Sequence, residues 1–113
     1  MIINENKFGY IILTNEIIEK LGVDSASSGN IINNFSGIEE LNVWAFVTED
    51  IKNDIVRINI RSNGPIVNKV AEKYNGGGHK LASGVRVKTI EEAKNVLYDL
   101  NLECIKYKEE NNK

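Results

Sequence analysis

Three consecutive glycines followed by a histidine and a lysine, Gly76-Gly77-Gly78-His79-Lys80, are the residues of this chain best suited to chemistry. Glycine tolerates positive φ and lets the backbone come close to a ligand. Successive backbone N–H groups in such a turn can form a concave nest for an anion. His79 can donate a hydrogen bond to a phosphate oxygen, more strongly when protonated. Lys80 adds a mobile positive charge, and Ser83 offers a hydroxyl just beyond. The chemistry is phosphate binding. Spacing alone leaves a plainer alternative level with it, since glycines after a helix commonly cap it and turn the chain. The third glycine tips the balance slightly: a cap and turn need two, and one more costs chain entropy.

A second half-site is Arg61-Ser62-Asn63-Gly64-Pro65. An arginine fork makes bidentate phosphate contacts. Pro65 suits the first position of a helix, whose free N–H groups and dipole favour anions. Taken singly, Arg61 reads as a solvated edge charge, and Ser62 and Asn63 read equally well as helix caps.

The elements around these residues exclude two familiar mechanisms. A P-loop or a dinucleotide-binding turn places its glycines between a strand and the helix after it. Here they come after a helix and precede a strand. The rest of the inventory is thin. There is one His and one Cys, with no HExxH, CxxC or GxSxG, so neither a catalytic residue nor a metal ligand is assigned and no cofactor is expected on this chain. The formal net charge of −2 argues against a broad nucleic-acid-binding face and for a local pocket. No apolar run is long enough to span a bilayer. The single Cys104 cannot form an internal disulfide, which suits a cytoplasmic protein.

With 113 residues the chain supports one domain, expected over 1–107, with 108–113 as a polar, disordered tail. Residues 8–13 and 43–48 are apolar runs typical of buried strands. In 55–62 Val56, Ile58 and Ile60 alternate with Arg57, Asn59 and Arg61, which predicts a strand with one covered and one polar face. Ser83 to Val87 predicts another. Helices are expected from Thr14 or Asn15 to Leu21, from Asp24–Ser28 to Phe35, from Pro65 to Tyr74, and from Thr89 onward. Residues 102–107 fit helix or strand. Trp44 and Phe46 are expected in the core. The fold class is α/β, a mixed sheet of about four to five strands packed with helices.

Arg61-Ser62, Val67-Asn68-x-x-Ala71 and Tyr74-Asn75-Gly-Gly-Gly-His79-Lys80-Leu81-Ala82-Ser83-Gly84 together resemble the DHHA1 domain. This is the C-terminal lobe of DHH phosphoesterases, here most similar to the oligoribonuclease and pAp-phosphatase type. The resemblance implies a substrate-binding lobe, cut from a longer protein, that serves an N-terminal DHH domain of the same polypeptide. That missing domain would hold a two-metal centre, usually manganese, and act on short RNA or pAp. Arg61, Gly76, Gly77, Gly78 and His79 would then contact phosphate or nucleotide, with Ser62, Lys80 and Ser83 as further candidates. The isolated domain would have no appreciable phosphoesterase activity. Two alternatives remain within the resemblance: a lobe of a cyclic-dinucleotide phosphodiesterase, and a non-catalytic RNA-binding or interaction module. One departure from the pattern is Asn75, which stands where many relatives have a fourth glycine. Asn tolerates the left-handed region better than most residues, so the turn is expected to survive.

Overall fold

The alternation in residues 55–62 becomes the strand around which the fold is built. The computed structural model describes residues 2, 3, 6–17 and 41–111. Their strands are β1 (Ile2–Ile3), β2 (Phe8–Leu13), β3 (Val43–Asp50), β4 (Ile55–Ser62), β5 (Gly77–His79) and β6 (Ala82–Val87). They form one six-stranded sheet in the order β1-β2-β3-β4-β6-β5. Only β2 and β3 run parallel; every other neighbouring pair is antiparallel. The two shortest strands, β1 and β5, are those that the sequence pattern does not announce.

The apolar half of β4 faces the core. Val56, Ile58 and Ile60 pack with Phe8, Val43 and Val47 from one side of the sheet and Val85 and Val87 from the other. Two helices cover this face, α1 (Asn68–Lys73) and α2 (Ile90–Asn111). In α2 the buried residues Ala93, Val96, Leu97, Leu100 and Cys104 recur at helical spacing and make one apolar stripe. Thr89 caps this helix, its hydroxyl accepting from Glu92 N at 3.1 Å, as expected. Residues 102–107 are helical. The helix continues through Lys108 to Asn111, the first residues of the stretch expected as a tail.

The opposite face is divided. Leu13 and Phe46 are buried there, with Ile11 and Trp44 packed against them. Phe46 is therefore core, whereas Trp44 stays partly exposed. Beyond β3 the same face turns polar.

One helix expectation changes, and two others reach beyond the described residues. Residues 15–17 begin a helix, with Thr14 Oγ1 accepting from Ile17 N at 3.4 Å. Its continuation and the helix expected up to Phe35 lie outside the described residues. Pro65 does not open α1, which starts at Asn68. The preceding residues are held elsewhere: Ser62 Oγ donates to the Pro65 carbonyl at 2.6 Å, and Val67 N donates to the Lys80 carbonyl at 2.8 Å.

Cys104 lies fully within the core, and burial, with a smaller push from the Glu103 charge, raises its thiol to about 12. A thiol held protonated and out of reach is inert. At pH 8 Cys104 is expected to react with a disulfide reagent only at the rate of global unfolding, and at once in denaturant. Fast reaction of the native chain would contradict this packing.

Candidate phosphate-binding site

The sheet register sets the site. On β4 and β6 Arg61 lies opposite Ala82, and on β5 and β6 His79 lies opposite the same Ala82. Directly opposed residues of antiparallel strands share a face and sit about 5 Å apart. Arg61 and His79 thus flank one small side chain on the polar face, separated by about 10 Å. The two segments that the sequence offered as half-sites are brought together.

The glycine segment arrives there through a well-formed helix end. After Lys73, Asn75 takes φ +65°, Asn75 N donates to Glu72 O, and Gly76 N donates to Ala71 O at 2.7 Å. This is a Schellman closure with Asn in the left-handed position, so the departure from a fourth glycine is accommodated. The chain then runs on as an extended edge strand and not as the concave turn expected. Gly78 at φ +143° is the one glycine in the positive region among the described residues. As the terminal strand, β5 leaves the amides on its outer side without a ladder partner.

The three glycines serve different ends. A Cβ on Gly76 would overlap the Gly84 carbonyl oxygen, and one on Gly78 would stand 2.5 Å from the Ala82 carbonyl. Backbone packing demands both. A Cβ on Gly77 would meet nothing within 4 Å. Gly77 pairs with Gly84, which in turn pairs with Asn59, and this row of bare backbone floors a cleft of about 500 Å³.

The candidate side chains divide as well. Arg61 donates only to its neighbour's carbonyl, Ile60 O, at 2.9 Å. His79 and Lys80 are exposed, and neither side chain has a partner among the described residues. All three are available to an anion. The serines are not equivalent to them. Ser62 Oγ donates to Pro65 O and accepts from Gly64 N; Ser83 Oγ donates to His79 O at 2.8 Å. Both are buried, and their donor hydrogens are committed to the loops they brace. In this structure they brace the loops of the site from the core side. Sequence reasoning offered them as further candidates from hydroxyl type and proximity, which say nothing about which backbone carbonyl lies closer.

The polar face also carries residues to which the sequence pattern assigns no role. Arg57 pairs with Arg86 across β4 and β6. Trp44 lies directly opposite Arg61. Among the described residues no group of three or more His, Cys, Asp or Glu could hold a metal. The described residues therefore offer no fit for a manganese centre, which the resemblance assigns to a DHH domain outside this chain.

The DHHA1 domain family matches residues 8–106. That span holds both half-sites and nearly all of the sheet. The chain belongs to the DHHA1 family. A protein of Bacillus subtilis named bifunctional oligoribonuclease and PAP phosphatase NrnA is 33% identical over 102 residues, covering 90% of this chain and 32% of that protein. The protein of that name in Mycoplasma genitalium is 35% identical over 97 residues, covering 86% of this chain and 29% of that one. A solved structure of an exopolyphosphatase-related protein from Bacteroides fragilis covers 99% of this chain and 33% of its own, with TM-score 0.73 and 28% identity. The C-Ala domain of Aquifex aeolicus alanyl-tRNA synthetase shares the DHHA1 fold at TM-score 0.61, over 86% of this chain and 89% of its own. At 12% identity that is a likeness of fold alone. The chain spans about a third of the length of the NrnA relatives it matches.

Proposed function

We propose that this DHHA1 domain grips the substrate of a metal-dependent DHH phosphoesterase that hydrolyses short oligoribonucleotides or pAp in the cytoplasm. The reading is carried by the Arg61–Ala82–His79 row. A fork of donors and an imidazole flank a small residue in the row beside the glycine-floored cleft, with no carboxylate paired to either among the described residues. Such a row suits one phosphate group, and Lys80 supplies further charge at the turn. The relatives named for oligoribonuclease and PAP phosphatase activity support that substrate class. The manganese pair and the hydrolytic step belong in this reading to a DHH domain of the same polypeptide.

Trp44, the only tryptophan, stands opposite Arg61 and gives a direct readout. Titrating the chain with pAp is expected to change Trp44 emission and to shift the amides of Arg61–Gly64 and Gly78–Lys80. Arg61→Ala and His79→Ala should each weaken binding by about 1–3 kcal/mol, the scale of one charged hydrogen bond. The melting temperature should hold, since neither side chain packs in the core. If pAp binds equally well to both variants, this phosphate site is misplaced.

A further inference from the structure

The polar face carries more positive charge than a single phosphate at Arg61 and His79 uses. Arg57 and Arg86 lie directly opposite each other on β4 and β6. Like charges in that position repel and destabilise a sheet. One carboxylate relieves them in part: Asp50, buried, accepts from Arg57 Nε at 3.2 Å. Asp50 is itself braced by Asn53, whose side-chain amide donates to it at 2.8 Å. This fixes the Arg57 guanidinium at its Nε edge and leaves the terminal nitrogens unbonded among the described residues. Arg86 is exposed and has no ion-pair partner among the described residues.

A second observation is independent of charge. Gly77 and Gly84 face each other in the row between the two cationic rows. A strand glycine weakens its strand and commonly marks a place where a ligand or another backbone comes close. At these two positions no other reason is visible. Neither has positive φ, a Cβ on Gly77 would meet nothing, and one on Gly84 would touch only Ile58 O at 3.8 Å. Arg57, Arg86, Asn59 and the two glycines line the same cleft of about 500 Å³. It is a bare floor, walled by cations, and the Arg61–Ala82–His79 row is the next row along the sheet.

We propose that the Arg57–Arg86 end of this cleft is a second phosphate subsite, taking a downstream phosphodiester of a short single-stranded RNA whose leading phosphate lies at Arg61 and His79. It rests on the function proposed above and adds a length dependence. Arg61 lies four residue steps beyond Arg57 along β4, about 13 Å at the rise of a strand. A ligand as short as pAp, held at the first row, does not reach that far, whereas an oligonucleotide does. The floor residues let the sugar-phosphate backbone lie against the sheet, and Asn59 offers an amide midway.

The test uses the chain itself with two ligands, pAp and a 5′-phosphorylated pentaadenylate. The variant is Arg86→Gln, because Arg86 is exposed and makes no ion pair or side-chain hydrogen bond among the described residues, whereas replacing Arg57 would strand the buried Asp50. The expected result is about a tenfold loss of affinity for the pentanucleotide, with pAp binding changed less than twofold. The dependence of log affinity on log salt should become shallower by about 0.7 for the pentanucleotide, the contribution of one phosphate of a single strand. Amide shifts at Gly76, Gly77 and Gly84 should appear with the pentanucleotide and not with pAp. Equal losses for both ligands, or no loss for either, overturn the second subsite. If the pentanucleotide depends on Arg86 but not on His79, the leading-phosphate reading fails and the second subsite stands. A chain that binds neither ligand overturns both.

Discussion

Replacing Gly76 with alanine is expected to destabilise the fold by about 3 kcal/mol or more, and replacing Gly77 with alanine by less than about 1. The adjacent positions differ because of what lies beside them. At Gly76 the added methyl would collide with the Gly84 carbonyl and stand 3.0 Å from Val85 Cα. Both obstacles are backbone of a central pairing strand, so relief requires moving β6 or pulling β5 off the sheet. Gly78→Ala should be comparably costly, adding the strain of φ +143° to a 2.5 Å approach to Ala82 O. At Gly77 the backbone is already in a region open to any residue, and the space is empty. The methyl enters the cleft and not the protein. Gly77→Ala should therefore leave the urea midpoint close to wild type while weakening a short oligoribonucleotide, and Gly77→Val should weaken it further, by about tenfold or more. Urea titration and ligand binding on the same preparations separate the two effects. A Gly77 variant that binds normally would mean that the cleft floor is not approached, and a stable Gly76→Ala would mean that β5 does not pair as described.

That contrast also shows where sequence reasoning stops. The third glycine stood out as unneeded for a turn, but which of the three it was depended on the register of β5 against β6, a long-range fact. A run of glycine has no side-chain alternation, so β5 gives no strand signal of its own and reads as a loop. The strands with alternating or continuous apolar residues, Phe8–Leu13, residues 43–48 of the longer Val43–Asp50, and Ile55–Ser62, were legible because their side chains record the burial of one face or both. The helix at 68–73 was legible but its start was not. Pro65 is a sound local signal for a first helical residue, and it was overridden by the Val67–Lys80 backbone hydrogen bond from a turn thirteen residues away. Arg86 could have been found. Applying to β6 the alternation used for β4 puts Ser83, Val85 and Val87 on the core side and Ala82, Gly84 and Arg86 on the side of Arg57 and Arg61. Only the strand pairing then shows Arg57 and Arg86 opposed.

Asp99→Ala is expected to cost about 2–3 kcal/mol and to loosen the glycine strand from behind. Asp99 sits on α2 and takes hydrogen bonds from Tyr74 Oη at 2.5 Å and Lys73 Nζ at 2.9 Å, both at the end of α1. Tyr74 is the residue from which the Asn75–Gly76 closure departs, so this latch sets where β5 begins. Burial tends to raise the Asp99 carboxyl, but the hydrogen bonds from Tyr74 and Lys73 and the lysine charge outweigh it and hold the group below its ordinary value. Tyr74 moves the other way, raised to about 12 by burial first and by the Asp99 hydrogen bond and charge second. The signs give a window. The depressed Asp99 contributes stability above the ordinary carboxylate range, near pH 4, and loses it as pH falls through its lower folded value. The raised Tyr74 contributes below its ordinary value of about 10 and loses it as pH rises toward about 12. Between those limits the difference in unfolding free energy between wild type and Asp99→Ala should be flat with pH. It should shrink on strong acidification, where a protonated Asp99 no longer draws on the Lys73 charge. Tyr74→Phe should lose about 1–2 kcal/mol at neutral pH, remove the alkaline limb and shrink the acid limb, because Asp99 then keeps only its Lys73 partner. Amide exchange at Gly76 and Gly77 should quicken in both variants while that of Ile58 and Ile60 tracks global stability. Unchanged exchange at the glycines would show that the latch stabilises the helix pair without positioning the strand beyond it.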